Sequence, residues 1–455
     1  MQRPDSQPTA RQPLATGVVD RLARRLVLNK LAGIRGGEIT LRDRHGVVRV
    51  GEPDGLNARI DVRDIRFYRQ VAVGGGLAAA ASYLQGDWEC DDLTTLFRIL
   101  ADDRNESVTA GVNAWIAGVR QLGDRLYHRW RSNSRAGARR NIHAHYDLGN
   151  DFFGLWLDDT WAYSCGVFPH AQATLREASL EKFDRVCHKL DLQPRDHLLE
   201  IGSGWGGLAI HAASHFGCRV TTTTISKQQF DLAKERIVEA GVADRVTILP
   251  KDYRDLTVPN NSCKYDKLVS IEMIEAVGHE YFDAYFGKCA ELLKPDGTCV
   301  LQAIVMPEAQ YAKYLKSVDF IQRYVFPGGC LPSVGAMLAS AGRTTKFRLA
   351  HVEDFGAHYA ETLRHWRRAF EEQIAEVRRL GYSEELIRLW RYYLSYCEAA
   401  FEDRHVGCVQ MQFDQLGRRR DPALSVASTA EVHSLDAAPS SVAHSCRRPL
   451  NSCRT

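Results

Sequence analysis

A short glycine-rich segment, EIGSGWGG, has residue types that suit close contact with a small charged ligand. Gly202, Gly204 and Gly207 satisfy the pattern GxGxxG between a predicted strand and a predicted helix. Glycines let the backbone turn tightly and approach a ligand, and the following helix offers its N-terminal amides. A pyrophosphate or an amino-acid carboxylate would use such a loop equally well, so the pattern alone does not name the ligand.

The end of the next predicted strand argues against a nicotinamide dinucleotide. An NAD site normally places an acid about 20 residues after the glycines, against the ribose hydroxyls. Here the sequence is TTTTISKQQ, and no carboxylate lies between Arg219 and Gln229. The chain also has no recognisable hydride-transfer site, so an NAD-dependent oxidoreductase is disfavoured.

The segment AYSCGVF, residues 162–168, contains a second candidate for chemistry, Cys165. Four interpretations are open for this residue: a nucleophile, half of a disulfide, a metal ligand, or the small wall of a pocket. No flanking His or Lys is present to lower the pKa of the thiol. The twelve cysteines of the chain are scattered without any CxxC pair, which favours reduced thiols, a cytoplasmic protein and no metal centre.

The order of helical and strand patterns predicts how these residues are positioned. Thr174 and Glu177 form a capping box for a helix over residues 175–190. Apolar runs separated by helical patterns then predict strands at 197–202, 218–225, 245–249, 267–274 and 297–305. This alternation indicates an α/β fold with a mainly parallel, doubly wound sheet, whose ligand crevice lies beyond the carboxyl ends of the strands.

The regions outside this alternating part are of three kinds. Residues 21–118 combine a basic helix, two short strands and further helical pieces, and are predicted to form a small N-terminal α+β accessory domain. Residues 1–20 and 421–455 have the composition of disordered tails. Residues 119–140 form a basic linker in which seven arginines face one aspartate; it is either a solvated linker or a patch for anionic lipid head groups.

The bulk composition excludes several classes of protein. With 455 residues, 45% of them hydrophobic, the chain can bury a substantial core. A net charge of +3 is almost neutral for this size, so a general nucleic-acid-binding surface is not expected. No apolar run approaches the roughly 20 residues that span a bilayer, and no signal peptide is recognisable. We therefore expect a cytoplasmic protein which, if it uses lipid, works from the inner surface of the membrane.

Taken together, the motifs resemble the cyclopropane-fatty-acyl-phospholipid synthase family of S-adenosylmethionine-dependent enzymes. The resemblance rests on the segments LLEIGSGWGGLAIHAA, TISKQQ, KDYRD, SIEMIEAVG and FPGGCLPS, with NIHAHYDLGNDFFGLWLDDTWAYSCGVF upstream. It covers roughly residues 30–420, and the motifs follow the family's order. It implies a Rossmann-like class I methyltransferase domain over residues 141–420, with insertions that form an acyl channel.

The resemblance also implies a cofactor site for S-adenosylmethionine. Its predicted residues lie in the glycine loop, after the second strand and in the KDYRD segment: Gly202, Gly204, Gly206, Thr224, Gln229, Asp252 and Tyr253. The glycines would pack against the methionine part, and the last two residues would border the adenine.

In the family, the methyl group is attacked by a cis double bond of a phospholipid acyl chain, and a base then removes a proton from the resulting carbocation so that a cyclopropane ring closes. The family uses a bound bicarbonate as this base. Its cradle carries over to Cys165, Glu275, Ile304 and Tyr359, where Cys165 and Ile304 contribute backbone groups. Under this resemblance Cys165 is a pocket wall and not a nucleophile.

One position departs from the family pattern. Gln302 stands in LQAIV where some members have a histidine in the cradle. An amide can hydrogen-bond an oxyanion but cannot carry positive charge or exchange a proton. Either bicarbonate is bound more weakly here, or another base acts, with Glu272, Glu275 and His279 as nearby candidates.

An apolar channel for the acyl chain is expected to be lined by aromatic side chains that surround the cation. Two segments supply them: Tyr146, Phe152, Phe153 and Trp156 in the first, and Tyr311, Tyr314, Phe320, Tyr324 and Phe326 in the second. Packing in an ordinary core is the alternative for each of these residues.

Four other functions are weighed beside ring formation. Loss of a different proton after the same transfer would give a methyl- or methylene-branched chain. The others are a methyltransferase for small polar molecules, the disfavoured oxidoreductase, and a membrane-binding protein with an inert methyltransferase fold. The expected partner is a phospholipid bilayer with unsaturated chains, with no nucleic acid, and a homodimer is possible by resemblance.

Overall fold

The computed structural model describes residues 17–102, 148–258 and 264–419. The predicted tails fall almost entirely outside these ranges, as do the basic linker at 119–140 and Tyr146. Within them, no helix is both long and apolar enough to cross a membrane.

The N-terminal part is built on a four-stranded sheet in the order β2-β1-β3-β4. Strand β1 pairs antiparallel with β2 and parallel with β3. Both β1 and β2 fall where the sequence predicts strands, whereas β3 and the three-residue β4 were not predicted. The elements are α1 (Val18–Leu31), β1 (Gly37–Asp43), β2 (Gly46–Gly51), β3 (Leu56–Val62), α2 (Arg66–Leu84), β4 (Trp88–Cys90) and α3 (Leu93–Ala101).

The second part is built on a seven-stranded sheet in the order β10-β11-β9-β8-β5-β6-β7. Strands β5 to β9 are parallel to one another, whereas β11 pairs antiparallel with β9 and β10 pairs antiparallel with β11. The strands are β5 (His197–Ile201), β6 (Arg219–Thr223), β7 (Val246–Leu249), β8 (Tyr265–Ile271), β9 (Leu293–Val305), β10 (Arg348–Asp354) and β11 (Gly407–Asp414). The predicted doubly wound, mainly parallel sheet is confirmed.

Helices lie between and after these strands. They are α4 (Asn150–Phe153), α5 (Leu175–Leu190), α6 (Gly207–His215), α7 (Lys227–Glu239), α8 (Phe282–Leu292), α9 (Glu308–Tyr314), α10 (Val334–Thr344), α11 (Gly356–Glu372), α12 (Ile374–Arg379) and α13 (Glu384–Glu402). Helix α5 has the predicted bounds, and its capping box is present: the Thr174 side chain accepts from the Glu177 amide, and the Glu177 carboxylate accepts from the Thr174 amide. This reciprocal cap fixes where the chain enters the sheet.

The two parts pack through α13. The Arg388 guanidinium, almost buried, donates to the carbonyl oxygens of Tyr83 and Trp88 at 2.5 and 2.7 Å and to a Glu89 carboxylate oxygen at 2.5 Å. Nearby, the ring of Phe97 in α3 meets Tyr392 edge-on at 4.7 Å. Aromatic packing and the hydrogen-bonded guanidinium therefore join the N-terminal part to the helices that cover the seven-stranded sheet.

Candidate active site

The glycine loop follows β5 and requires glycine at particular positions. Gly202, Gly204 and Gly206 have φ values of 97°, 48° and 86°, the left-handed region that favours glycine. The amides of Gly202 and Ser203 both donate to the Thr223 carbonyl at 3.1 and 2.9 Å, which ties the loop to the end of β6. The loop thus holds its backbone open toward the carboxyl edge of the sheet, just before α6 begins.

The loop opens on a cavity of about 710 Å³, lined by most of the predicted cofactor residues: Gly202, Gly204, Thr224, Gln229, Asp252 and Tyr253. Gly206 does not line this cavity; a Cβ there would come within 3.3 Å of the Ala233 side chain of α7. Gly207, the third glycine of the sequence pattern, does line it. The glycines of this segment therefore serve helix packing as well as the cavity wall.

Polar groups at the ends of β6 and β7 complete this wall. The Thr224 hydroxyl donates to the Gln229 side-chain oxygen at 3.0 Å, so the two predicted residues act as a unit. Asp252 accepts both arms of the Arg254 guanidinium at 2.9 and 2.6 Å. Glycine amides, an amide side chain and an acid around one pocket suit the amino acid and nucleoside parts of S-adenosylmethionine, so the residues present fit the predicted cofactor.

Sequence reasoning missed two charged residues in the same wall. Glu200, at the end of β5, accepts a 2.5 Å hydrogen bond from Thr222, and burial raises the pKa of its carboxyl to about 8. Lys182 of α5 is fully buried and donates to the Ser164 hydroxyl at 2.6 Å, and burial lowers the pKa of its ammonium. A signal for Lys182 was present, because it falls between Ala178 and Val186 at four-residue spacing on the apolar face of α5.

The central feature of the site is the carboxylate of Glu272, which collects hydrogen bonds from several elements. One oxygen accepts from the Cys165 amide at 2.9 Å and from the Gln302 side-chain amide at 2.7 Å. The other accepts from the Tyr359 hydroxyl at 2.6 Å. The Cys408 thiol lies 3.8 Å from the first oxygen. Three groups that the resemblance places around a bicarbonate therefore surround a carboxylate of the chain itself.

The backbone of Glu272 is strained. Its φ is 49°, the left-handed region that non-glycine residues adopt rarely and at some energetic expense. Its amide donates to the Gln302 carbonyl at 2.8 Å, which continues the pairing of β8 with β9 for one more residue. Strain of this kind persists where the surroundings over-determine a conformation, and it clusters at functional sites.

Glu275 lies one 3₁₀ turn further along and also lines the cavity. One carboxyl oxygen accepts from the Ile304 amide at 2.6 Å, and the other has no hydrogen-bond partner among the described residues. Removal from water, and then the neighbouring Glu272 charge, raise the pKa of Glu275 to about 8. Removal from water raises the pKa of Glu272 too, but the hydrogen bonds from Tyr359, Cys165 and Gln302 oppose that rise, whereas at Glu275 the neighbouring Glu272 charge adds to it.

Cys165 reaches this site through its backbone. Its side chain is fully buried, does not line the cavity, and points its thiol toward the Gly166 carbonyl at 3.2 Å. Burial raises the pKa of the thiol. All cysteines in the described part of the chain are free thiols. A nucleophilic or disulfide role for Cys165 therefore has no support in its surroundings.

The predicted acyl-channel aromatics divide between cavity and core. Tyr314 and Phe326 line the cavity. Phe152, Phe153 and Trp156 do not: they are buried in an aromatic cluster with residues of α11 and α13, so the prediction was wrong for them. Tyr311, Phe320 and Tyr324 also fall outside the cavity lining. Aromatic spacing on a helix does not distinguish a channel from a core.

Other aromatic residues take their place in the cavity wall. They come from α13 and from the segment before Cys165: Tyr393, Tyr396, Phe401, Trp161 and Tyr163. The carboxyl end of α3, with Leu100, Ala101 and Asp102, also reaches the cavity. His279, a candidate base, is not in the lining and has Tyr311 as its partner at 2.8 Å.

Comparison with known proteins agrees with this geometry. The family model described as mycolic acid cyclopropane synthetase matches residues 133–411. A tuberculostearic acid methyltransferase of Mycobacterium tuberculosis is 37% identical over 349 residues, 75% of this chain and 79% of that one. The cyclopropane-fatty-acyl-phospholipid synthase of Escherichia coli K12 is 35% identical over 370 residues, 79% of this chain and 88% of that one.

Among solved structures, the mycolic acid cyclopropane synthase CmaA1 complexed with SAH and CTAB aligns with a TM-score of 0.56 and 31% identity. The alignment covers 61% of this chain and 98% of that chain. It confirms the predicted Rossmann-like class I methyltransferase fold. The chain belongs to the mycolic acid cyclopropane synthetase family and is an S-adenosylmethionine-dependent methyltransferase of that family.

Proposed function

We propose that this protein transfers one carbon from S-adenosylmethionine to the cis double bond of an unsaturated phospholipid acyl chain and closes a cyclopropane ring. One observation carries the proposal. The glycine loop after β5 and the carboxyl groups of Glu272 and Glu275 after β8 share a single cavity of about 710 Å³. A methyl donor, an apolar chain and a proton acceptor can therefore meet in one enclosure.

The walls of that cavity suit an acyl chain. Apolar and aromatic side chains make up much of the lining, among them Met273, Val277, Ile304, Phe326, Leu363 and Phe401. S-adenosylmethionine, when bound, supplies an electrophilic methyl group. An apolar wall excludes water that would capture a carbocation, and aromatic faces stabilise positive charge on the lipid.

We assign the proton acceptor to Glu272. Its hydrogen bonds with Cys165, Gln302 and Tyr359 favour the ionised form and hold it at the cavity wall. A neutral Glu275 beside it avoids a second negative charge. In the proposed step the double bond would form a new carbon–carbon bond to the methyl carbon while the bond from that carbon to sulfur breaks, so that neutral S-adenosylhomocysteine is the leaving group. A methyl proton would then pass to Glu272, and the freed electron pair would close the ring.

The predicted bicarbonate fits this arrangement poorly, because Glu272 already occupies the donors expected to hold it. No step of the proposal needs the ion. With purified protein and unsaturated phospholipid vesicles, we expect the same turnover in CO2-free buffer as in buffer with added bicarbonate. Turnover that disappears without CO2 and returns with bicarbonate would instead support bicarbonate as the base.

The experiment for the whole function is product analysis. The protein is expressed in a host without its own cyclopropane synthase and fed labelled methionine, and fatty acids are separated by gas chromatography with mass detection. We expect a labelled cyclopropane chain from the wild type and a loss of about a hundredfold or more in Glu272→Gln. Exposed Glu280→Gln is the matched control and should keep the product. If no labelled lipid forms at all, the proposed function is refuted.

Methyl or methylene branching of the same double bond is a second candidate. It is favoured by the observation that the base site holds a fixed glutamate with a glutamine behind it, where the resemblance expects a bicarbonate. Only the proton that leaves separates the two products. A branched or methylene product in the same chromatogram would select this candidate.

We propose that the protein binds its phospholipid substrate at a membrane surface. Helix α1 exposes Leu22 and Leu26, which are 57% and 64% accessible, beside the exposed Arg21 and Arg25. Apolar and basic side chains on one exposed face suit an anionic bilayer. The cytoplasmic, peripheral location, the lack of a nucleic-acid partner and the homodimer remain predictions from the sequence.

Flotation with anionic vesicles tests this surface. The double variant Leu22→Asp, Leu26→Asp should bind vesicles about tenfold or more weakly, because two apolar side chains are lost and two negative charges are gained. The control is Val238→Asp on α7, whose side chain is 62% exposed on another helix. Equal binding by all variants would show that α1 does not contact the bilayer.

A further inference from the structure

A line of hydrogen bonds runs from the rim of the large sheet to Glu272. Lys189, near the end of α5, donates to the Gln410 side-chain oxygen at 2.5 Å. The Gln410 amide donates to the Gln302 side-chain oxygen at 3.0 Å, and the Gln302 amide donates to Glu272 at 2.7 Å. Gln410 and Gln302 are direct partners in the β11–β9 ladder, and both are 1% exposed.

Each link of this line has a fixed direction. The Lys189 ammonium has only donors to offer, and it also donates to the Glu353 carboxylate at 2.5 Å. Gln410 must therefore turn its oxygen toward Lys189 and its NH2 group toward Gln302. Gln302 must in turn present its NH2 group to Glu272. The orientation of both buried amides is set by one cation at the edge of the sheet.

We propose that Lys189 and Gln410 are positioning residues: acting through the amide of Gln302, they keep Glu272 a hydrogen-bond acceptor with its carboxylate ready to take a proton. Neither residue lines the cavity, so neither touches the substrate. The role in turnover rests on the proposed function, whereas the direction of the hydrogen bonds does not.

Other charged and titratable groups face the two ends of the line. Around Glu272 these are Tyr359 on α11, Cys165 and Cys408, Lys182 on α5, and Glu275.

At the other end, Lys189 faces Glu353, and Glu353 also accepts from Arg185 at 3.0 Å.

Removal from water raises the pKa of Glu272, and the hydrogen bonds donated by Tyr359, Cys165 and Gln302 oppose this rise. Loss of the hydrogen bond from the Gln302 amide should therefore raise the pKa of Glu272 further.

Two variants break the line in different ways. In Gln410→Glu the new carboxylate can only accept, so it binds Lys189 and also the NH2 group of Gln302. The Gln302 amide then flips, and its oxygen faces the Glu272 carboxylate. In Lys189→Met the fixed donor is removed and both amides lose their set direction. We expect the pKa of Glu272 to rise by about one unit or more in each, and turnover at neutral pH to fall about tenfold.

The readout is the carbon NMR titration of side-chain-labelled glutamate, with the Glu272 signal identified by its absence in Glu272→Gln. Lys189→Arg is the conservative variant. Its Glu272 pKa and its turnover should both stay near the wild-type values, because a guanidinium group also has only donors. Gln412→Glu is the matched control, since Gln412 lies on the same strand two residues away and bonds to the Lys189 carbonyl instead.

The outcomes separate the two proposals. A Glu272 pKa that does not move in either variant, or that moves as much in Gln412→Glu, overturns the positioning role. A wild-type protein that titrates as expected but makes no labelled lipid leaves the hydrogen-bond line intact and refutes the proposed function. Thermal midpoints of all variants show whether a lost signal comes from unfolding.

Discussion

At the scale of single residues, the site depends on a glutamate in an unfavourable backbone conformation. Glu272 keeps its left-handed φ because Cys165, Gln302 and Tyr359 all donate to its carboxylate. The identity of this residue was available from the sequence, where it was one of three candidate bases. The sequence did not show that Glu272 lies at the centre of the site. Two of its three donors, Cys165 and Tyr359, are more than 80 residues away from it in the chain.

The protonation of Glu275 gives a prediction about stability. Its pKa is about 8 in the folded protein and near 4.5 in the unfolded chain. Between these values the folded state binds more protons, so the contribution of Glu275 makes the free energy of unfolding fall as pH rises from about 5 to 8. Glu275→Gln should flatten this decline.

Urea unfolding at several pH values measures the effect, with exposed Glu280→Gln as the control. Other raised carboxyls such as Glu200 contribute their own slope in all variants. An unchanged slope in Glu275→Gln would mean that Glu275 is ionised in the folded protein.

At the scale of elements, the parallel strands of the seven-stranded sheet were predicted, and its antiparallel strands β10 and β11 were not. Strands β5, β6, β8 and β9 are mostly buried, as expected for strands covered on both faces. Helices α6, α7 and α8 follow β5, β6 and β8 in the chain. Strand β11 is GCVQMQFD, in which buried glutamines interrupt the apolar pattern. Strand β10, RLAHVED, is exposed at every residue except the partly buried Glu353, so it lacks the buried face that marks a strand in the sequence. One of these glutamines, Gln410, belongs to the line of hydrogen bonds that reaches Glu272.

The capping box of α5 offers a prediction at this scale, because α5 carries both Lys182 and Lys189. Thr174→Ala removes the acceptor for the Glu177 amide, at 3.2 Å, and should cost about 1 kcal/mol of unfolding free energy. Thr174→Ser keeps a hydroxyl and should lose much less. Equal stability of the alanine and serine variants in urea titrations would show that the cap contributes nothing.

At the scale of the whole molecule, the accessory part is joined to the catalytic part through α13. Arg388→Met removes a charged donor from the Tyr83 and Trp88 carbonyls and from Glu89, although Tyr83 still accepts from the Gly86 amide and Glu89 still pairs with Arg63. We expect the free energy of unfolding to fall by about 2 kcal/mol. Arg391→Met is the control on the same helix: it breaks a more exposed pair with Glu371 and should lose under about 1 kcal/mol.

Chemical denaturation followed by tryptophan fluorescence compares the two variants. The accessory part also reaches the cavity through the end of α3, at Leu100. We therefore expect Arg388→Met to raise KM for lipid vesicles as well. Similar small losses for both arginine variants would contradict a structural role for this contact.

The sequence by itself determined the type of sheet, the glycine loop and the capped helix, because these follow from local periodicity and turn chemistry. The residues proposed for the cofactor wall came from the family resemblance. Only the tertiary structure decided which aromatics line the cavity and which carboxylate collects the donors. It also placed Lys189 of α5 at the far end of the hydrogen bonds that run through Gln410 to Gln302. Those features depend on side chains that meet across strands and helices far apart in the chain, and local pattern carries no information about such meetings.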